Sequence, residues 1–391
     1  MFRACRAEKV APSPIMVYTV TMTPNDRKIK VGILFGGKSA EHEVSLQSAK
    51  NVYEAIDRNK FEPVLIGIDK DGKWRSSGDS LSLLNAGDPR NISLNAGGDP
   101  VALIPESQGL LCRPEPLNPQ SPLPKLDVVF PILHGPFGED GTVQGLLRLA
   151  DIPFVGSGVL GSAVGMDKDV MKRLFRDAGI PIGKFIALGS HEPLPPYAEV
   201  VAKLGSPVFI KPANMGSSVG VSKVHDESEF SAALNAAFQY DTKIIIEEHI
   251  NCREIECAVL GNENPAASIP GEVIPTHEFY SYDAKYLDEN GAKLEIPARL
   301  EGGCQQRIKE LAVKVFQTLC CDGLARVDFF LEAGGDIFVN EINTMPGFTK
   351  ISMYPKLWEA SGIGYTDLIS RLIELAIEKH EKERAIKVVY G

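Results

Sequence analysis

No CxxC pair occurs among the seven cysteines (Cys5, Cys112, Cys252, Cys257, Cys304, Cys320 and Cys321), and their number is odd. That pattern argues against a disulfide framework or a thiolate zinc site and fits reduced thiols in a cytoplasmic protein. Long apolar runs are missing as well. The stretches around Val208–Ile210 and Ile244–Ile246 fall far short of the roughly 20 residues that span a bilayer, so no membrane segment is expected. Positive charge is not in excess: the formal net charge is −10, which disfavours a nucleic-acid partner while leaving room for a local basic pocket. The Gly36-Gly37 segment after the first strand lacks GxGxxG, which disfavours a dinucleotide fingerprint there, and the loop Gly216–Gly220 is not followed by Gly-Lys-Ser/Thr at the Walker A spacing. There is no internal repeat.

What is present is the composition of an ordinary globular chain. With 391 residues, 44% of them hydrophobic, it has length for two or three domains with real cores. Residues 1–28 mix basic, apolar and Pro-bearing stretches without an apolar h-region, and are expected to be a loosely ordered extension; Met16 and Met22 are alternative starts. Three units are expected beyond it, over 29–156, 157–250 and 251–391.

The first unit reads as α/β: strand Val31–Phe35, a Gly36-Gly37 turn, a helix from about Ser45, and strand Val64–Ile68. Residues 76–124 read as loops, and a strand over Asp127–Leu133 ends in His134-Gly-Pro-Phe-Gly-Glu-Asp-Gly141. In the second unit a helix follows Asp167 as N-cap, with Val170, Leu174 and Ala178 as its apolar positions, Gly179 past its end and Pro181 beyond. Strand Pro207–Pro212 leads into the small-residue loop Asn214–Gly220, and strand Ile244–Glu248 follows. An amphipathic tail helix is expected from about Thr366.

Two strand-like runs, Leu324–Leu331 and Asp336–Asn343, flank Gly334-Gly335, a hairpin signal. A two-residue Gly-Gly loop sets Ala333 opposite Asp336, Asp328 opposite Glu341 and Arg326 opposite Asn343, with the last four on one face. Directly opposed carboxylates repel unless a cation lies between them. Hard oxygen donors of this kind suit Mg²⁺ together with nucleotide phosphates. The alternative is a solvated face on which Arg326 neutralises its neighbours.

The loop Gly216-Ser217-Ser218-Val219-Gly220 offers backbone N–H groups to a phosphate, with Lys211 on the preceding strand as a point charge; an ordinary turn is the alternative. Gly36-Gly37-Lys-Ser-Ala-Glu41-His-Glu43 follows the first strand, the usual position of a ligand site in an open α/β sheet. Glu41 is a candidate for holding a substrate ammonium, against the alternative that this segment caps the next helix through Glu43 or Ser45. His134 is a candidate for facing the same site, against a structural role.

Taken in order, Gly36–Ser45, His134-Gly135 with Glu139–Thr142, Met166–Lys168, Lys211-Pro212 with Gly216–Gly220, Arg326–Asp328 and Asn340–Gly347 closely resemble D-alanine:D-alanine ligases of the ATP-grasp superfamily, over roughly residues 30 to 380. The resemblance implies a three-domain α/β architecture, α+β in its ATP-grasp part: an N-terminal open parallel-sheet substrate domain (29–156), a central ATP-grasp subdomain (157–250) and a C-terminal one (251–391). It implies ATP and two Mg²⁺, replaceable by Mn²⁺, with Asp328, Glu341 and Asn343 as metal ligands. Lys168, Lys211, Gly216, Ser217 and Ser218 would contact phosphates. Glu247, Glu248 and Glu254 would contact adenine and ribose, with Lys285, Asn340 and Glu341 completing the ATP site. Glu41, Ser217 and Tyr286 would surround the first D-alanine, with His134 and Lys285 also at the substrate. Arg326 and the Gly347 N–H would stabilise an oxyanion, and Ser352 would hold the second substrate's carboxylate.

The implied reaction joins two D-alanines through a D-alanyl phosphate, for peptidoglycan precursor synthesis by a cytoplasmic homodimer. Another ATP-grasp ligase would share the ATP and magnesium residues but not Glu41, Tyr286 and Ser352, whereas a D-lactate or D-serine variant would differ in the second-substrate pocket. A non-catalytic nucleotide-binding protein would bind ATP without amino-acid-dependent phosphate release.

Overall fold

The computed structural model of the chain describes residues 27–76, 84–85, 93–94, 98–105, 107–112, 123–275, 292–349 and 351–387. Strand β1 (Ile29–Gly36) is buried from Val31 onward. A strand covered on both faces reads as a continuous apolar run, the signature of a parallel sheet. It pairs in parallel with β2 (Phe61–Ile68), reached through helix α1 (His42–Ala55). Its other neighbour, also parallel, is the strand Val128–Ile132.

Helix α1 begins three residues before Ser45, because that serine is used elsewhere. Ser45 Oγ accepts from Gly36 N–H at 2.7 Å and donates to the Ile132 carbonyl, tying the helix to two strand ends. Neither Glu43 nor Ser45 caps the helix. The N-cap position is Glu41, and its side chain makes no capping bond.

The described part of 76–124 is not all loop. After β3 (Trp74–Ser76) come the two-residue strands β4 (Leu84–Asn85), β5 (Ser93–Leu94), β6 (Asp99–Pro100), β7 (Ala102–Leu103) and β8 (Leu111–Cys112). With Val128–Ile132 as β9, the first sheet runs β6-β3-β2-β1-β9, and β3 and β6 join it antiparallel. The sheet is therefore parallel at its centre and mixed at one edge. Val101, Leu103 and Leu111 are buried against it, which is why so polar a segment still forms short ladders.

After helix α2 (Thr142–Leu149) come α3 (Val159–Met166) and α4 (Lys168–Asp177). Asp167 caps α4 through the Asp169 and Val170 N–H groups, both at 3.1 Å, and Gly179 beyond its end is left-handed. The buried face of α4 is not Val170, Leu174 and Ala178, which are half-buried, but Met171 and Phe175 with Asp169 and Lys172. That rotation arises because α4 packs on the C-terminal sheet. Met171 and Phe175 share a core with Val327, Phe329 and Val339, so the second and third units are joined by a common core.

The central sheet is antiparallel: β10 (Phe185–Gly189), β13 (Lys243–Glu248), β11 (Val208–Pro212) and β12 (Ser222–Val224), in that spatial order. Helices α5 (Tyr197–Leu204) and α6 (Glu227–Phe238) cover it, burying Val208, Ile210, Phe230, Leu234, Ile244 and Ile246. The third sheet is ordered β17-β16-β14-β18-β19, from β14 (Cys252–Gly261), β16 (Gly271–Pro275), β17 (Ala292–Glu295), β18 (Gly323–Glu332) and β19 (Ile337–Asn343), with β15 (Ala266–Ala267) on β14.

The helices Met353–Ala360 and Tyr365–Arg384 then return to the first sheet. Tyr354, Trp358, Leu368 and Ile369 pack in one cluster with Val31, Ile33 and Phe130 of the first sheet and Ala258 and Leu324 of the third. At roughly 25 cal/mol per Å² of apolar surface, clusters of this size supply the main force holding the units together. This seam positions the site.

Candidate active site

Asp328 does lie opposite Glu341, and Arg326 opposite Asn343. The turn that leads there is not the expected one. Glu332 N–H donates to the Asp336 carbonyl and Gly335 N–H to the Glu332 carbonyl, so the loop is Ala333-Gly334-Gly335, with Gly335 left-handed at φ 88°. Near the turn Phe330 faces Phe338 and Phe329 faces Val339, one residue out of the expected phase. A β-bulge between Asp328 and Phe329 inserts Asn340 and restores the phase. Asn340, Glu341 and Asn343 all line one cavity.

On this face Arg326 donates two bonds of 2.7 Å to Asp328, and the Asn343 amide donates to Asp328 at 3.1 Å. Arg326 also pairs with Glu256 at 2.9 Å, and Lys168 lies 3.7 Å from Glu341. Cationic neutralisation by Arg326, the plainer of the two sequence readings, is thus present. It coexists with carboxylate and amide oxygens from Asp328, Glu341 and Asn343 on one face, a hard donor set whose chemistry fits Mg²⁺.

The cavity beside this face measures about 460 Å³ and lies between the central and third sheets. Lys168, Lys211, Glu341, Asn343, Glu248 and Glu254 all line it. Lys168 donates to the Met215 carbonyl at 2.7 Å, and burial next to Lys211 lowers its pKa. Burial alone would lower Lys211 as well, but Glu247 and Glu341 outweigh it and raise its pKa. Glu247 is 7% exposed and grips both Lys172, at 2.7 Å, and Lys211. Burial would push its carboxyl up; the two ammonium groups overcome this and hold it at about 2.

The loop after β11 has the backbone of an anion cradle. Ser217 and Ser218 have φ of 50° and 61°, and Gly220 of 71°. Left-handed backbone is sparsely used by residues with a Cβ, and clusters of it turn successive N–H groups toward one point. The loop's base is fixed by bonds from Asn214 to Asp241 at 2.7 and 2.9 Å and from Lys168 N–H to the Ala213 carbonyl at 3.0 Å.

Ser217 Oγ donates to Glu41, so the phosphate-type loop touches the first domain. Glu41 is 6% exposed. A Cβ on Gly216 would stand 3.0 Å from Glu41 Oε2, and one on Gly135 would stand 3.0 Å from the same atom and 2.7 Å from Ser39 Oγ. Two glycines therefore make room for this carboxylate. His134 is buried and spends both ring nitrogens within the fold, Nδ1 on the Met345 carbonyl at 3.1 Å and Nε2 on Ser48 Oγ at 3.3 Å. Burial lowers its pKa, which favours the neutral ring.

Asn51 donates to the Phe348 carbonyl and Phe348 N–H donates to Ser48, so helix α1 also holds the segment carrying Gly347. Ser352 Oγ accepts from Thr349 N–H at 3.0 Å, and lies 2.9 Å from where a Gly347 Cβ would be. Lys285 and Tyr286 fall outside the described residues.

Two residues with a place at the site were given no role from the sequence. Lys172 is four residues after Lys168, so both lie on one face of α4, a spacing that would have flagged it. Glu139 takes the Gly135 N–H at 2.8 Å, and burial together with nearby Glu41 raises its pKa well above the carboxylate range. Nothing in its local pattern sets it apart from a loop acid.

Comparison with known proteins points to one family. The family model for the D-ala D-ala ligase N-terminus matches residues 30–157, and that for the C-terminus of the same ligases matches 174–374. The D-alanine--D-alanine ligase A of Escherichia coli K12 is 55% identical over 363 residues, 92% of this chain and 99% of the relative. Among solved structures, the D-alanine-D-alanine ligase from Coxiella burnetii superposes with a TM-score of 0.80 at 36% identity, over 92% of this chain and 96% of that one. The VanG D-Ala:D-Ser ligase from Enterococcus faecalis gives 0.77 at 37% identity, over 90% and 100%.

Proposed function

The chain belongs to the D-alanine–D-alanine ligase family, and from that premise we propose that it ligates two D-alanines to the dipeptide, with the residue roles that follow. ATP is consumed, and the product serves peptidoglycan precursor synthesis. The observation that carries the assignment of roles is the Ser217–Glu41 contact. Through it the buried Glu41 carboxylate meets the Gly216–Gly220 loop, which supports the reading of Glu41 and this loop as parts of one site.

In this reading Lys168 and Lys211 hold the nucleotide phosphates, and the Gly216–Ser218 loop closes over the γ-phosphate. Glu247, Glu248 and Glu254 line the nucleotide's adenosine end, with Lys285 from outside the described residues. Glu41 takes the ammonium of the first D-alanine, and Ser217 and Tyr286 complete its hydrogen bonding. His134 acts on the substrate by fixing the segment from Met345 onward. Asp328, Glu341 and Asn343 would hold two Mg²⁺ ions, which when bound supply positive charge that offsets repulsion between carboxylate and triphosphate.

Chemistry then proceeds in two displacements. A carboxylate oxygen of the first D-alanine attacks the γ-phosphorus, the bond to the β-phosphate oxygen breaks, and ADP leaves behind an acyl phosphate. The neutral amine of the second D-alanine, whose carboxylate is held by Ser352, attacks the acyl carbon. Arg326 and the Gly347 N–H stabilise the resulting oxyanion, which collapses by expelling phosphate. Holding both reactants in place supplies much of the rate, and excluding water preserves the intermediate. A homodimer in the cytoplasm completes the proposal by family resemblance, and sedimentation equilibrium checks the first part.

The test is phosphate release with ATP, Mg²⁺ and a panel of D- and L-amino acids, alone and paired with D-serine or D-lactate. Release requiring D-alanine and yielding the dipeptide is expected. Release indifferent to D-alanine would refute the reading.

A further inference from the structure

We infer that Lys172 is the positioning residue that lets Lys211 leave Glu247 for the phosphates of a bound nucleoside triphosphate. The inference rests on the reading of Lys211 as a phosphate ligand. Each oxygen of the buried Glu247 carboxylate has its own ammonium: Lys172 Nζ at 2.7 Å from Oε1, and Lys211 Nζ on Oε2. The two lysines are not equivalent. Lys211 shows 14% of its side chain and Lys172 only 3%. Lys172 also donates to the main-chain carbonyl of Asn340 at 3.3 Å, at the bulge of the acidic hairpin. An incoming nucleotide cannot take that acceptor away without undoing the strand, so Lys172 stays where it is.

Among the described residues Lys211 has no such anchor on main chain, and although both lysines line the cavity it is the more exposed of the two. To reach a phosphate it must give up at least part of its contact with Glu247. A buried carboxylate deprived of its last cation is strongly disfavoured, so with Lys211 as sole partner the pair would resist opening. Lys172 removes that resistance by keeping Glu247 paired throughout. Lys172 therefore acts on nucleotide affinity through Lys211, without touching the nucleotide.

The experiment measures KM for ATP, KM for D-alanine and the calorimetric Kd for ADP in the full-length protein and in Lys172→Met, Lys172→Arg, Lys211→Met, Glu247→Gln and the double variant Lys172→Met/Glu247→Gln. Loss of one charge-assisted phosphate contact predicts that Lys172→Met weakens ATP and ADP roughly 10- to 100-fold with KM for D-alanine within about twofold. Lys172→Arg, which keeps the charge, stays within about threefold of the parent.

The double variant also removes the anion that traps Lys211, and it should match Glu247→Gln alone to within about threefold. It loses both buried charges together and so also serves if Lys172→Met does not fold. Unchanged nucleotide affinity in Lys172→Met, or a double variant about tenfold weaker than Glu247→Gln, would overturn the inference. If Lys211→Met itself binds nucleotide normally, the phosphate reading of Lys211 fails instead.

Discussion

Replacing Glu247 by Gln removes one charge from a buried carboxylate paired with two ammonium groups, and the consequence follows from those two partners. Burial alone would raise this carboxyl, but Lys172 and Lys211 bring it from 4.5 to about 2. In the unfolded chain the group titrates near its ordinary value. A folded pKa that is depressed contributes stability fully present above the unfolded value and lost as pH falls toward the folded one. The window is therefore pH 5 down to 2, and the linked contribution at neutral pH is roughly 3 kcal/mol.

Within that window one proton separates the two states, so the parent's stability falls by roughly 1 kcal/mol per pH unit more than the variant's between pH 4.5 and 3.5. Urea unfolding followed by far-ultraviolet dichroism at pH 7, 5, 4.5, 4 and 3.5 measures this difference, read on the transition that includes the central sheet, since a three-unit chain need not unfold in one step. The variant should be the less stable at pH 7, with the gap closing toward pH 3.5. Parallel curves across the acid range would refute the reasoning.

Glu341→Ala should abolish turnover at every ATP concentration while leaving the dichroism spectrum intact; near-normal turnover would remove Glu341 from the metal site. Gly135→Ala forces a Cβ to within 2.7 Å of Ser39 Oγ and 3.0 Å of Glu41 Oε2 at a left-handed backbone. It should lower stability by roughly 1 kcal/mol and raise KM for D-alanine more than KM for ATP, as steady-state kinetics would show. Phe348 is fully buried and meets Phe130 edge-on at 5.6 Å across the seam between units. Its replacement by Ala should cost about 3–5 kcal/mol in urea unfolding, and replacement by Leu clearly less.

The sequence carried the acidic hairpin face to its correct partners by two errors that offset each other. A two-residue Gly-Gly loop was expected, whereas Ala333 joins the loop and Asn340 bulges out immediately before Glu341. Hairpin rules read turn residues, and a bulge has no local signature when its extra residue is as ordinary in a strand as Asn340. The cap of α4 was legible because Asp167 acts on its own helix, through bonds two and three residues away. Its buried face was not, since the C-terminal sheet chooses Met171 and Phe175 over Val170.

The same division holds across the candidate site. Lys211 and Gly216–Gly220 announce themselves by type and spacing. Lys172 had a spacing signal but its partner Glu247 is supplied by the fold, and Glu139 depends wholly on the Gly135 N–H and Glu41 that the fold brings near it. Ser45 shows the limit at a single residue: its hydroxyl is suited to an N-cap, and a long-range bond to the Ile132 carbonyl outcompeted that role.

The central claim is that the first D-alanine is activated as an acyl phosphate. D-alanine carrying ¹⁸O in both carboxylate oxygens, ligated with unlabelled ATP, measures it directly by mass spectrometry of the phosphate. Collapse of the tetrahedral adduct expels the oxygen that attacked phosphorus, so each phosphate released with dipeptide should carry one ¹⁸O. Phosphate free of label would contradict the account.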